Sequence, residues 1–242
     1  MSPVVLFAAG TLALLLIALA VVRFRSIRRA NERAEEYRKQ AALRGWTLEY
    51  DRFGSGTPWF RYSGVTEEVS WTFHTYRPPA RLPAATAGHP SRWETTSVRL
   101  DEGALAVFPG SAEHRLRPGA PRFVTELALR PIVNALGGDA EDAPVLASAT
   151  RPLAGPKGYT YRTSDMRRMA GWLTEGASHA FSTMQIPDLI AIVLWHRGLQ
   201  IATARATNDL EQIARIVDLG VRLTKAAELM AKGPRPAPRP PE

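Results

Sequence analysis

The stretch 189–204 reads LIAIVLWHRGLQIATA. Its first seven residues carry no polar side chain, which marks a strand buried on both faces and therefore central in its sheet. Arg197-Gly198 supplies the turn, and residues 199–204 return as a second strand. Just beyond lies a helix with apolar positions Leu210, Ile213, Val217, Gly220, Leu223, Ala227 and Met230, spaced three and four apart. Asn208 and Glu211 form the capping box that starts it. Upstream, Ser164 caps a second amphipathic helix with core positions Met166, Met169, Leu173, Ala177, Phe181 and Met184.

Further upstream the period changes from helical to alternating. Trp46, Leu48 and Tyr50 share one face of a strand, opposite Thr47, Glu49 and Asp51. A turn at 54–58 leads to a short strand at 59–62, a second turn at Ser63-Gly64 leads to a third strand at 69–76, and 78–91 reads as a Pro-rich loop. Residues 93–100 and 104–108 read as a hairpin turned at Asp101-Glu102-Gly103, and 109–122 is irregular. Residues 123–136 predict a helix that Pro131 can split in two, ended by Gly137-Gly138. Segments 145–150 and 159–163 predict strands. The expected class is α+β: an N-terminal transmembrane helix, a mostly antiparallel β-meander, and a C-terminal strand-helix-hairpin-helix unit.

The transmembrane helix is residues 3–22, twenty residues without a charge. At about 1.5 Å per residue they span the roughly 30 Å hydrocarbon core of a bilayer. Ala18-Leu19-Ala20 matches a small-x-small cleavage site, but no Lys or Arg precedes the run and it exceeds a secretory core in length, so an anchor is expected. Arg23, Arg25, Arg28 and Arg29 follow immediately. They predict an N-terminus outside, a soluble domain in the cytoplasm, and lipid-headgroup contact worth about 1 kcal/mol per residue. Residues 23–44 continue as a charged juxtamembrane helix without an apolar seam, ended by Gly45. Residues 45–231 form the domain, with a possible subdivision near 110–122, and 232–242 a disordered Pro/Arg tail.

The chain has 242 residues, no Cys and a formal net charge of +8. Half of that charge sits on the four Arg after Val22 and a quarter on the tail, so the folded part is nearly neutral. Without Cys there is no disulfide framework, thiolate metal site or Cys nucleophile. Most cations are Arg; with the abundant Ala and Pro this coding bias places the membrane as a bacterial inner membrane.

Local catalytic motifs are missing. His74, His89, His114, His179 and His196 show no metal-binding spacing, and surface or hairpin-end positions are expected. Ser55 in Gly54-Ser55-Gly56 lacks the nucleophile-elbow pattern. Asp139, Glu141 and Asp142 lack the EF-hand spacing and read as a solvated loop. Pro156 spoils Gly155-Pro156-Lys157-Gly158 as a phosphate loop. Trp59, Tyr62, Trp71, Phe73 and Trp93 stand near Arg61, Arg77 and Arg92, but core packing is their expected role.

The single anchor, the Gly45-Trp46 opening of the first strand, the meander with Trp59 and Trp71, and the closing strand–helix–hairpin–helix unit resemble bacterial single-pass membrane proteins of unknown function. The resemblance implies the fold and carries no activity. The expected function is a membrane-anchored, non-catalytic binding or assembly module. Its expected partners are the lipid bilayer and a membrane or cytoplasmic protein, with no nucleic acid, catalytic residue, cofactor or metal. The alternatives are a membrane-tethered, hydrolase-like enzyme with a non-local active site, and a lipid-headgroup-binding domain. A pocket joining distant His and carboxylate groups would favour the enzyme, a basic cup facing the membrane the lipid reading, and an apolar patch a protein partner.

Overall fold

The computed structural model describes residues 3–50, 59–76, 90–110, 122–149, 151–183, 186 and 188–232. Helix α1, Pro3–Leu43, runs unbroken for 41 residues, about 60 Å. Gly45 then turns the chain at φ 73°, a left-handed conformation that suits glycine. Among the residues whose side chains are described, which begin at Leu15 in α1, no helix is long and apolar enough to cross a membrane. Within that described part Leu15, Leu16, Ile17, Leu19 and Val22 are each more than half exposed.

Nine strands form one sheet, and every pairing in it is antiparallel. They are β1 (Thr47–Tyr50), β2 (Trp59–Thr66), β3 (Val69–Tyr76), β4 (Ser91–Thr95), β5 (Leu105–Pro109), β6 (Arg151–Leu153), β7 (Tyr159–Thr163), β8 (Leu189–Trp195) and β9 (Gly198–Thr203). Their order is β1-β2-β3-β4-β9-β8-β5-β7-β6, so the apolar β8 and its hairpin partner β9 do lie at the centre. The sheet draws strands from both sides of residues 110–122.

Four expectations within this sheet are corrected. Ser63-Gly64 is not a turn: β2 continues to Thr66, and the two-residue turn is Glu67-Glu68, both at positive φ. Gly64 stays in the strand because Trp71 and Trp46 pack over it; a Cβ there would lie 2.9 Å from the Trp71 ring. Residues 93–100 and 104–108 are not a hairpin. β4 pairs with β3 and β9, while β5 pairs with β7 and β8, because the 189–203 hairpin wedges between them. The strand expected over 145–150 is not formed by its described residues, 145–149; helix α3, Asp142–Ala147, occupies that place, and the edge strand β6 follows it. The central hairpin turns at His196-Arg197, one residue earlier than expected.

Helices cover the sheet unequally. On the first face lie the end of α1, then α4 (Met166–Trp172), a π-helical turn (Leu173–Ala177), α5 (Ser178–Thr183) and α6 (Leu210–Ala231). They bury Phe60, Tyr62, Trp71, Phe73, Trp93, Tyr161, Ile192 and Ile201. Asp165, not Ser164, caps α4, accepting from the Arg167 and Arg168 amides; Ser164 instead bonds the Ala104 backbone. Asp209, not Asn208, caps α6. In both cases the acid one residue on reaches the free amides of the first turn. Gly220 of α6 faces Trp93, whose ring would lie 2.6 Å from a Cβ.

On the second face, α2 (Arg122–Ala135) is one helix despite Pro131, and with α3 it covers only β5, β8 and β9. Leu129, Ile132, Val133, Leu136 and Leu146 meet Phe108, Val193, Trp195 and Ala202 there. The same face of β1 to β4 has no helix over it among the described residues. Thr47, Glu49, Arg61, Ser63, Ser70, Thr72, His74, Arg92 and Glu94 stand on it, by the alternation that buries their neighbours inward.

Candidate functional site

The uncovered half of the second face is a trough of about 910 Å³, walled on one side by the end of α2 and the β8–β9 turn. Strand register arranges its floor in two rows. Glu49, Arg61, His74 and Arg92 stand opposite one another across β1 to β4. Thr47, Ser63, Thr72, Glu94 and Gln200 make the second row, from β1 to β9.

Glu94 is the hub. His74 Nε2 lies 3.0 Å from its Oε1, and Gln200 Nε2 donates to its Oε2 at 3.3 Å. Arg92 Nε lies 3.0 Å from Oε2 as an ion pair, off the line of a hydrogen bond. Gln200 is itself fixed, because Trp195 Nε1 donates to its Oε1 at 2.9 Å from inside the core. Burial alone would raise the Glu94 carboxyl, but the His74 hydrogen bond, the charges of Arg92 and His74, and the Gln200 bond outweigh it and hold it below its ordinary range.

The folded state therefore favours ionised Glu94. Its contribution is present above the ordinary carboxylate range and is lost as pH falls through the lowered folded value. Glu94→Gln is expected to cost about 1–3 kcal/mol at pH 7, the usual size of hydrogen bonds to a charged group. Urea unfolding of both proteins should show this gap narrowing steadily below about pH 4. A gap constant down to pH 3 would contradict the hub.

A second cluster closes the wall. Asp142, 3 % exposed, lies at the first turn of α3. Its Oδ2 accepts from the Asp139 amide at 2.8 Å and meets Arg197 Nη2 at 2.8 Å, while its Oδ1 lies 3.1 Å from His196 Nε2. Arg197 also meets Asp139 at 2.6 Å. Desolvation pulls the Arg197 guanidinium down, yet Asp142 and Asp139 more than compensate and raise it. The acidic stretch 139–142 is thus not solvated throughout: Glu141 is exposed, but the first and last residues, Asp139 and buried Asp142, lock the β8–β9 turn to α3. Arg92 reaches the same place, its guanidinium lying against Gly137, which ends α2 at φ 70°. A cation there complements the helix C-terminus.

The other residues singled out by sequence fall elsewhere. Arg23, Arg25, Arg28 and Arg29 are exposed on α1, and Arg28 pairs with Glu32 at 2.9 Å. His179 is exposed on α5. His89, His114, Ser55 and the tail beyond Lys232 lie outside the described residues. Tyr62, Trp71, Phe73 and Trp93 are core. Among the described residues no group of three His, Cys, Asp or Glu could hold a metal ion. Strand alternation already placed His74 on a polar face; Arg61 and Arg92 were legible only as cations near aromatics, Glu94 was not singled out, and the strand order that gathers them was not readable. No protein-family model, curated protein or solved structure matches this chain.

Proposed function

We propose that the chain is a single-pass, membrane-anchored binding module of a bacterial inner membrane. Residues 3–22 cross the bilayer with the N-terminus outside, Arg23, Arg25, Arg28 and Arg29 contact lipid headgroups, and the domain faces the cytoplasm. The apolar side chains exposed on α1 up to Val22 support the anchor. The observation that carries the binding role is the polar half of the sheet's second face that no helix covers among the described residues. Its groups are held in place by Glu94 and Asp142 and lie open to a partner.

The arrangement favours binding over acid–base catalysis. Both Glu94 oxygens are engaged and its carboxyl is held low, the reverse of what a general base needs. Among the described residues no Ser, Thr or Tyr hydroxyl bonds a His side chain. One observation keeps an enzyme as the second reading: His196 is 41 % exposed at the trough and oriented by buried Asp142, as a water-activating base would be.

A photo-crosslinking residue at Thr72, in the floor of the trough, separates these readings when introduced in native membranes. A discrete protein adduct at Thr72, absent with the same group at Lys225 on α6, is the expected result. His196→Ala should then leave adduct formation and cellular function intact. No Thr72 adduct, together with loss of function in a stably folded His196→Ala protein, would overturn the module in favour of catalysis.

A further inference from the structure

The chemistry of the trough narrows what can bind there. Its lining carries four Arg, at 61, 92, 99 and 197, against one carboxylate, Glu94. Three of these cations are steadied by carboxylates: Arg92 by Glu94 within the lining, and the other two from beside it. Glu49 meets Arg61 at 3.4 Å from the neighbouring strand, and Asp139 and buried Asp142 hold Arg197 from the wall. Arg99 meets no carboxylate among the described residues; its Nε donates to the Thr96 carbonyl at 3.4 Å. Each guanidinium is thus pre-positioned, with donors to spare.

The cations are spread out. Arg61 and Arg92 sit in one cross-strand row with His74 between them, two strand spacings or about 10 Å apart. Arg99 and Arg197 lie farther along, in the β4–β5 connection and the β8–β9 turn. An extended peptide can follow a line of that length, because residues three apart in such a chain are separated by about 10 Å. Between the cations the floor offers the hydroxyls of Ser63, Ser70 and Thr72, which suit a polar main chain.

Resting on the binding-module reading above, we propose that the trough takes an extended acidic segment of a partner protein. Carboxylates of that segment pair with Arg61, Arg92 and Arg99, and its chain crosses strands β2 to β4. Arg92 is also part of the Glu94 hub, so Arg61 and Arg99 are the residues that isolate binding from folding.

The test uses the full chain in phosphatidylcholine nanodiscs and a fluorescent octaglutamate peptide at low salt, read by anisotropy. Binding should weaken at least tenfold in Arg61→Glu/Arg99→Glu and stay unchanged in Arg222→Glu, an exposed control on α6. It should fall with rising salt, as exposed charge pairs do. No binding, or equal binding by the wild type and the double variant, would overturn the proposal. Displacement by inorganic phosphate at constant ionic strength would overturn it in favour of a single-anion site. Displacement when phosphatidylglycerol is added to the discs would overturn it in favour of a lipid headgroup. If octaglutamate fails while the Thr72 adduct forms, only the acidic class is wrong; if neither appears, the binding module itself fails.

Discussion

Trp195→Ala is expected to lower stability by about 3–5 kcal/mol, the cost of truncating a buried aromatic and leaving its cavity. Trp195 is fully buried at the end of the central strand β8, between α2, α3 and the sheet. Gly138 brings the loop after α2 so close that a Cβ there would lie 3.2 Å from the indole. The substitution also strips Gln200 of its donor, and through Gln200 loosens Glu94. In a domain of this size the loss corresponds to about 6–20 °C in melting temperature. Since domains have only about 5–15 kcal/mol in hand, partial unfolding at growth temperature would follow. A melt unchanged within about 2 °C would mean that the second-face core is not packed as described.

Deletion of residues 1–22 is expected to convert a membrane-bound protein into one recovered entirely in the soluble fraction with its cooperative melt retained. The domain's own contacts explain why it should survive. Ala34, Tyr37 and Ala41 of α1 pack on the first-face core, and Arg44 pairs with Glu211 at the start of α6. All of these lie beyond the deletion. Sedimentation through a high-salt wash and a thermal melt check both halves. Persistent membrane association would reveal a second lipid-binding surface, while loss of the cooperative melt would show that the first residues of α1 support the fold.

Much of the fold was legible because alternation and helical spacing are local. Val69–Tyr76, the buried hairpin and the closing amphipathic helix followed directly from which side chains recur on one face. Gly64 misled because a glycine under two tryptophans looks like a turn in sequence. Residues 145–150 misled because a short buried helix and a short strand share an apolar pattern. The pairing of β4 with β9 rather than β5 was hidden, since nothing local tells a strand that a hairpin a hundred residues later will insert beside it.

The site was legible only in fragments. His74 and His196 were visible as histidines on polar or turn positions, and Asp142 as one of three acids. Their pairing with Glu94, Arg197 and α3 depends on long-range register. Arg61 and Arg92 stood out only as cations near aromatics; the structure puts Tyr62, Trp71, Phe73 and Trp93 on the opposite face, in the core, and leaves the two cations in the trough beside His74 and Glu94.

The chain has no native Cys, so a single Thr72→Cys substitution gives a unique probe of the floor of the trough. Its labelling rate by a membrane-impermeant maleimide, in native inside-out vesicles before and after a high-salt wash, tests membrane sidedness and occupancy together. Labelling that is slow before the wash, fast after it and absent in intact spheroplasts is the predicted result. Equal rates before and after the wash, or labelling only from the outside, would contradict a cytoplasmic, partner-bound trough.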